Sequence, residues 1–206
     1  MLENYKELPN GVIKQSVINK RKYDTEYIER SYNTYGELGV RMSYLRYGFI
    51  IGSIGHIPNS ILDVGYGNGD FLSVCKNTIN KCYGYDISGY KLPEGCLLSE
   101  SIEIEVDVVT FFDSLEHFED ISFVKKLKTK YVVISVPWCH NFSDEWFSKW
   151  RHLRPNEHLF HFSEKSLINF MNENEYELIN YNNIEDIIRK NTNNDKNILT
   201  AVFKKK

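Results

Sequence analysis

Four residues that could do acid–base or ligand chemistry cluster in the middle of the chain: Asp113, Glu116 and His117 in one short run, and His158 some forty positions later. The run VDVVTFFDSLEHFED (106–120) is apolar up to Phe112 and then abruptly acidic, so these groups stand at the exit of a buried element. Asp113 and Glu116 are three apart and face the same way if the segment turns helically. His140, His152, His158 and His161 all follow within 138–162, a stretch that also holds Trp138, Trp146 and Trp150. In one reading His117 or a loop histidine is a general base toward a hydroxyl, oriented by Asp113 or Glu116; in the other, Asp113, Glu116, His117 and His158 ligate a divalent cation that lowers the hydroxyl's pKa. A purely structural reading of Glu116 and His117, as a pair that holds its loop in shape, stays open beside both.

A second constellation lies upstream in ILDVGYGNGDFL (61–72), with glycines at 65, 67 and 69 between Asp63 and Asp70. Closely spaced glycines let a ligand approach backbone amides. A dinucleotide turn has the pattern G-x-G-x-x-G and sets a pyrophosphate on a helix N-terminus. Here the third glycine comes one residue early, and Asp63 and Asp70 would repel a phosphate. A P-loop is excluded because no Gly-Lys-Ser/Thr follows. Acid-flanked glycines suit a cofactor with an ammonium group and a sulfonium centre, and S-adenosylmethionine has both. Asp86 ends the next strand 21 residues after Gly65, where a carboxylate can accept both hydroxyls of a ribose.

Strand and helix patterns alternate around these groups. Short strands are expected at 61–64, 82–85, 106–112 and 131–136, with helices over 70–78, 121–128 and 163–174 and two last strands at 176–184 and 197–203. The interval 87–105, with Pro93 and its glycines, predicts a truncated helix and a short edge strand near 96–99. Residues 23–54 read as two helices broken near Gly36 and Gly39, and 138–162 as a long aromatic lid.

The motifs Asp63-x-Gly65-x-Gly67-x-Gly69, Tyr83-Gly-Tyr-Asp86, VDVVTFFDSLEHFED and YVVISVPW (131–138) together resemble the class I S-adenosylmethionine-dependent methyltransferases. The Glu-His pair and EHLFHFSEKSL (157–167) are most similar to the branch that includes the ubiquinone-biosynthesis O-methyltransferases. The resemblance implies an α/β, Rossmann-like fold with a seven-stranded, mostly parallel sheet, helices on both faces and the last strand antiparallel. It implies a single domain over 1–206, with a helical cap at 1–58 and a core at 59–206 carrying the lid. Cofactor contacts are expected from Asp63, Gly65, Tyr66, Gly67, Gly69, Asp86, Ile87, Phe112, Asp113 and Arg46, with Arg41 a further candidate and Ser99, Glu100 and Ser101 on the adenine side. Catalytic roles are expected of His117, Glu116, Asp113 and His158. A divalent cation is allowed but not favoured. Tyr66 departs from the small residue usual in this loop, and Tyr32, Tyr35, Tyr44 and Tyr47 are read as core more than as acceptor pocket.

Composition narrows the acceptor. The 206 residues carry a net charge of −3 with 42% hydrophobic residues, which argues for a small-molecule acceptor and against a nucleic-acid partner. Cysteines without CxxC spacing and the absence of a long apolar run predict a cytoplasmic protein without a membrane span. Two other functions fit the same motifs: a catalytically silent S-adenosylmethionine-binding subunit, and a metal-assisted 2′-O-methyltransferase acting on a terminal nucleotide. Neither the acceptor nor the oligomeric state is legible.

Overall fold

The β-branched runs build the centre of the molecule. In the computed structural model, which describes residues 3–19, 37–140, 143–189 and 196–206, seven strands form one sheet. They are β3 (Ser60–Val64), β4 (Lys81–Tyr85), β5 (Leu97–Leu98), β6 (Val106–Phe112), β7 (Thr129–Pro137), β9 (Tyr176–Asn182) and β10 (Ile198–Lys205). Their order is β5-β4-β3-β6-β7-β10-β9. The pairs from β5 through β7 are parallel, and β10 runs antiparallel to both β7 and β9. The seven-stranded α/β expectation, with the last strand antiparallel, holds.

Alternating residues on the strands feed two cores, one on each face. Ile61, Val108, Val133 and Val202 pack with Ile50 of α1 (Glu37–Ile54) and with Phe71 and Leu72 of α2 (Asp70–Cys75). Leu62, Val109, Ile134 and Phe203 pack on the other side with Leu167, Phe170 and Met171 of α4 (Glu164–Glu173). Strands buried on both faces need this near-continuous apolar character. A crevice opens where the strand order reverses, beyond the C-terminal ends of β3 and β6, and ligands of open α/β sheets lie at such a point.

Several local expectations are corrected. Helix α1 runs through Gly39 instead of breaking there: a Cβ on Gly39 would collide with the Asp70 carboxylate, so this glycine serves close approach to α2. Gly36, Tyr32 and Tyr35 lie outside the described residues. Tyr44 is exposed, and Tyr47 reaches Thr78 Oγ1 at 2.6 Å, so neither meets the crevice. The cap is not all helical, because β1 (Tyr5–Glu7) and β2 (Ile13–Gln15) form a hairpin that pairs with β8 (Phe160–His161) in a second sheet. No helix forms over 87–105, where Gly89 and Gly95 take positive φ on either side of Pro93. The expected helix over 121–128 is one 3₁₀ segment, Ser122–Lys126, started by Asp120, which accepts from Ser122 N at 2.9 Å. Within 138–162 the helical segment is α3 (Asp144–Lys149), which buries Phe147 against Tyr5 and Ile13. Among the described residues no helix is long and apolar enough to cross a membrane.

Helix α4 shows how few polar atoms a boundary needs. Ser163 Oγ accepts from Ser166 N at 3.1 Å, and Ser166 Oγ accepts from Ser163 N at 2.8 Å, a reciprocal capping box with serine in the place of the usual glutamate. Replacing Ser163 by alanine is expected to lower unfolding free energy by about 1 kcal/mol, read as a lower urea midpoint at constant slope.

Candidate active site

The crevice is a cavity of about 650 Å³, walled by the ends of β3, β4 and β6, by α1, and by the segment after α3. Its first wall is the glycine loop. Gly65, Gly67 and Gly69 all take positive φ. A Cβ on Gly65 would meet Ser114 Cβ at 2.6 Å, and one on Gly69 would meet Pro93 at 2.6 Å. These two glycines therefore clear neighbouring chain as well as space for a ligand. Asp86 is held at the loop by Gly67 N at 3.0 Å and Ser88 N at 2.7 Å, and a carboxylate has lone pairs beyond those two. Ile87 beside it is 71% exposed at the cavity rim. Tyr66 lines the cavity with its ring packed on Gly84, and its hydroxyl donates to the Tyr90 carbonyl. Tyr66 thus ties the glycine loop to β4 and to the 87–105 segment. Ser99, Glu100 and Ser101 do not line the cavity; Ser99 Oγ donates to Ser101 O at 2.6 Å within its own turn.

Asp63 lies beneath the loop, 3% exposed, accepting from Thr110 Oγ1 at 2.7 Å. Burial pushes its pKa up to about 6, against the pull of Thr110 and the charge of Arg46, and Asp86 adds to the rise.

A closed group of four charges forms the opposite corner. Arg46 donates Nε to Glu185 Oε1 at 2.7 Å, Nη2 to Glu185 Oε2 at 3.0 Å, and Nη2 to Asp113 Oδ2 at 2.9 Å. Arg189 also contacts Asp113 Oδ2 and pairs through Nε with Glu185 Oε2 at 3.0 Å. Arg46 lies 4.3 Å over the Phe112 ring. Burial alone would raise the Asp113 pKa, but the two arginines outweigh it and hold the carboxyl well below its usual range. Arg46 is therefore engaged by the protein's own carboxylates, not left open for a ligand's, while Arg41 pairs with Glu37 at 4.0 Å on the exposed side of α1. Glu185 and Arg189 were not among the expected site residues. Their one signal in the sequence is indirect: an arginine within an otherwise apolar helix needs a buried acid.

Glu116, His117 and His158 come together without Asp113. One ligand atom from each lies within 4.8 Å of the others. His117 Nδ1 meets Glu157 O at 2.7 Å, and His158 Nδ1 meets His152 O at 2.8 Å. A carbonyl oxygen only accepts, so both histidines carry their proton on Nδ1 and leave Nε2 as the acceptor nitrogen. Glu116 is buried, and neither carboxyl oxygen has a hydrogen-bond partner among the described residues. Burial raises its pKa well above the ordinary value, with Asp113 adding to the rise. Burial also lowers the pKa of His117, and pushes that of His158 down to about 2 with help from the His117 charge. One carboxyl group and two imidazole nitrogens of ligand type thus lie close together. Part of the structural role is real as well, because Glu116 O accepts from Leu159 N at 2.7 Å and clips the loop to the 157–159 segment.

The other histidines serve elsewhere. His152 lines the cavity and meets Asn197 Oδ1 at 2.6 Å. His140 meets Lys196 O at 2.6 Å over the Trp138 ring, and His161 is buried between Tyr5 and Phe147.

Residues 45–181 match the family described as "Methyltransferase domain". No curated protein matches the chain. Among solved structures, the chain is similar to magnesium protoporphyrin IX methyltransferase from Synechocystis PCC 6803 with bound SAH. That likeness has 14% identity and a TM-score of 0.61, over 89% of this chain and 96% of that one. It is also similar to 1,6-didemethyltoxoflavin-N1-methyltransferase of Burkholderia thailandensis, at 12% identity and a TM-score of 0.60 over 98% and 99%. The methyltransferase domain of bacterial CtHen1-C follows, at 18% identity and a TM-score of 0.54 over 81% and 98%. At these identities the structures speak to the fold, and do not bear on the narrower resemblance to ubiquinone-biosynthesis enzymes.

The raised Asp63 pKa has a measurable consequence. The native state holds this proton more tightly than the unfolded chain, so stability falls as pH rises from about 4 to about 6, and the full cost of the buried charge persists above. Asp63→Asn keeps an acceptor for Thr110 and cannot ionise. The variant is expected to match the parent near pH 4 and to exceed it at pH 7 by about 1–3 kcal/mol in urea unfolding.

Proposed function

Because the chain belongs to the methyltransferase-domain family, we propose that it transfers the methyl group of S-adenosylmethionine to a hydroxyl oxygen of a small molecule. The observation that carries the reading is the cluster of Glu116 and the Nε2 atoms of His117 and His158, on the wall of the same cavity as the glycine loop. A hydroxyl entering there would come within reach of the carboxylate and both imidazoles.

S-adenosylmethionine, when bound, supplies an electrophilic methyl on a sulfonium centre. The residues present fit it: Asp86 has lone pairs left for ribose hydroxyls, Ile87 offers an apolar rim, and Asp63 and Gly65 line the floor where a cation offsets the buried carboxylate. Phe112 and Arg46 close the side next to β6. Asp113 acts as the anchor of the arginines that shape this wall, not as the base. Glu116 is the strongest base of the acceptor set, because burial raises its proton affinity while lowering that of the histidines. It accepts the hydroxyl proton as the oxygen is methylated, and His117 and His158 orient the hydroxyl through their Nε2 atoms.

Calorimetric titration with S-adenosylmethionine and S-adenosylhomocysteine tests the cofactor, and binding of neither would remove the proposal. With a panel of hydroxylated metabolites, turnover is expected to rise with pH as the buried Glu116 loses its proton. Glu116→Gln is expected to lower kcat by about 10²–10⁴-fold while product binding stays within about threefold. Undiminished turnover in this variant would refute the assignment.

A second reading rests on the same three atoms. One carboxylate and two imidazoles suit a divalent cation, which would supply Lewis acidity toward the hydroxyl. Each imidazole already has the Nδ1 contact that orients metal-bound histidines. Calorimetry of chelator-treated protein with Mn²⁺ and Zn²⁺ separates the two. Saturable binding lost in His158→Ala, with the acid limb of the pH profile moved to lower pH, favours the cation; no binding leaves Glu116 as the base.

A further inference from the structure

Charge on the cavity wall is sorted by position. The glycine-loop side presents the carboxylates of Asp63, Asp70 and Asp86. None of the three has an ion pair among the described residues. In the corner near β6 the charges cancel, Arg46 and Arg189 against Asp113 and Glu185. On the histidine side Arg154 and Glu157 pair, and Arg151 and the buried Glu116 are left. Arg154 spends Nη1 on Glu157 Oε1 at 3.0 Å and keeps other N–H groups. Asn197 gives its Oδ1 to His152 Nε2, which leaves its amide N–H groups on the cavity wall. Arg151, directly before His152, lines the cavity and has no hydrogen bond or ion pair among the described residues.

We infer that the acceptor carries an anionic group, a carboxylate or a phosphate, which Arg151 binds on the histidine side of the cavity. The inference rests on the reading of this cavity as a methyl-transfer site and narrows its substrate class. A guanidinium presents paired donors that match the oxygens of either anion. The Asn197 side-chain amide, on the far side of His152, adds a neutral donor; Glu157 is matched by Arg154, and Asp186 spends its oxygens on the backbone N–H groups of Asn197 and Ile198. An anion held there would stand next to His152, whose backbone carbonyl orients His158. One end of the cavity thus selects a cationic cofactor and the other an anionic acceptor. The opposite polarities keep each from occupying the other's place. The overall charge of −3 does not oppose this, because the selection is made by a local, unpaired cation.

The test uses the full chain labelled with ¹⁵N and two probes, inorganic phosphate and acetate, with chloride holding ionic strength constant. The Arg151 Nε–Hε signal is identified by its loss in Arg151→Gln. Saturable shifts of this signal and of the Asn197 side-chain amide are expected. Arg151→Gln should weaken the anion at least about fivefold, as read on Asn197, a loss in line with one charge-assisted contact. Arg151→Lys should recover part of it, and Arg154→Gln should cost less than about twofold. Whichever probe binds tighter names the anion's class, and either result supports the inference. Shifts that never saturate, or equal losses in Arg151→Gln and Arg154→Gln, overturn it. S-adenosylhomocysteine is titrated into the same samples by calorimetry. If it binds while the anions do not, only this inference falls; if it does not bind, the methyl-transfer reading falls and takes this one with it.

Discussion

The cavity exists because Asp113 leaves β6 in a left-handed conformation, with φ at 52°, and meets two arginines there. Aspartate tolerates this region better than most residues, since its short side chain finds partners locally. Here the partners come from distant chain: Arg46 from α1, and Arg189 just beyond the 3₁₀ segment Ile184–Ile187, with the buried Glu185 of that segment balancing the second positive charge. Two cations against two anions make a neutral group that can be buried. Such a cluster adds little net stability over an apolar one, but removing a single member strands a charge, typically at a cost of about 3–5 kcal/mol. What it fixes is position. It ties α1, the end of β6 and the segment before β10 to one point, and those three make one side of the cavity.

With that corner neutral, the remaining ionisable groups are left to act on what enters. Asp63 and Glu116 are both buried carboxylates with raised proton affinity, yet their surroundings differ. Asp63 has Thr110 as a donor and Arg46 near enough to pull its pKa down, so it is ionised at neutral pH. Glu116 has no side-chain donor among the described residues and lies beside two imidazoles. The fold thus separates two carboxylates into an electrostatic role and a proton-accepting role by local environment alone.

Most of the frame was legible in the chain, because strand periodicity and glycine spacing are local signals. β3, β4, β6 and β7 lie where the β-branched runs place them, and Asp86 meets the glycine loop as its position after β4 implies. The interval 87–105 was legible as an interruption, though not as a helix-free one. The site was legible as a residue set but not as a geometry. Asp113 looked like a partner of Glu116 by spacing, and only the arrival of Arg189, 76 residues away in sequence, takes it out of that set. Tyr66 looked like a pocket residue because loops with three glycines seldom keep a large ring. Its destination, Gly84 on the neighbouring strand, depends on parallel pairing that no local pattern reports. The histidines were the least legible, since five near one rim suggested a common task. In fact His140 and His161 pack against aromatic rings, His152 supports His158, and only His117 and His158 turn Nε2 to Glu116.

The histidine tautomers are fixed by the main chain. Were either Nδ1 freed from its carbonyl, that ring could move its proton to Nε2 and cease to be an acceptor toward Glu116. The carbonyls of Glu157 and His152 prevent this, and both belong to the short segment between α3 and β8. That segment is in turn fixed at both ends, by Phe147 in the third apolar cluster and by β8 in the second sheet. The hairpin of β1 and β2 supplies the partner strand for β8, so the N-terminal residues act on the site without reaching it. Apolar packing some distance away thus sets how the two imidazoles stand toward Glu116 on the cavity wall.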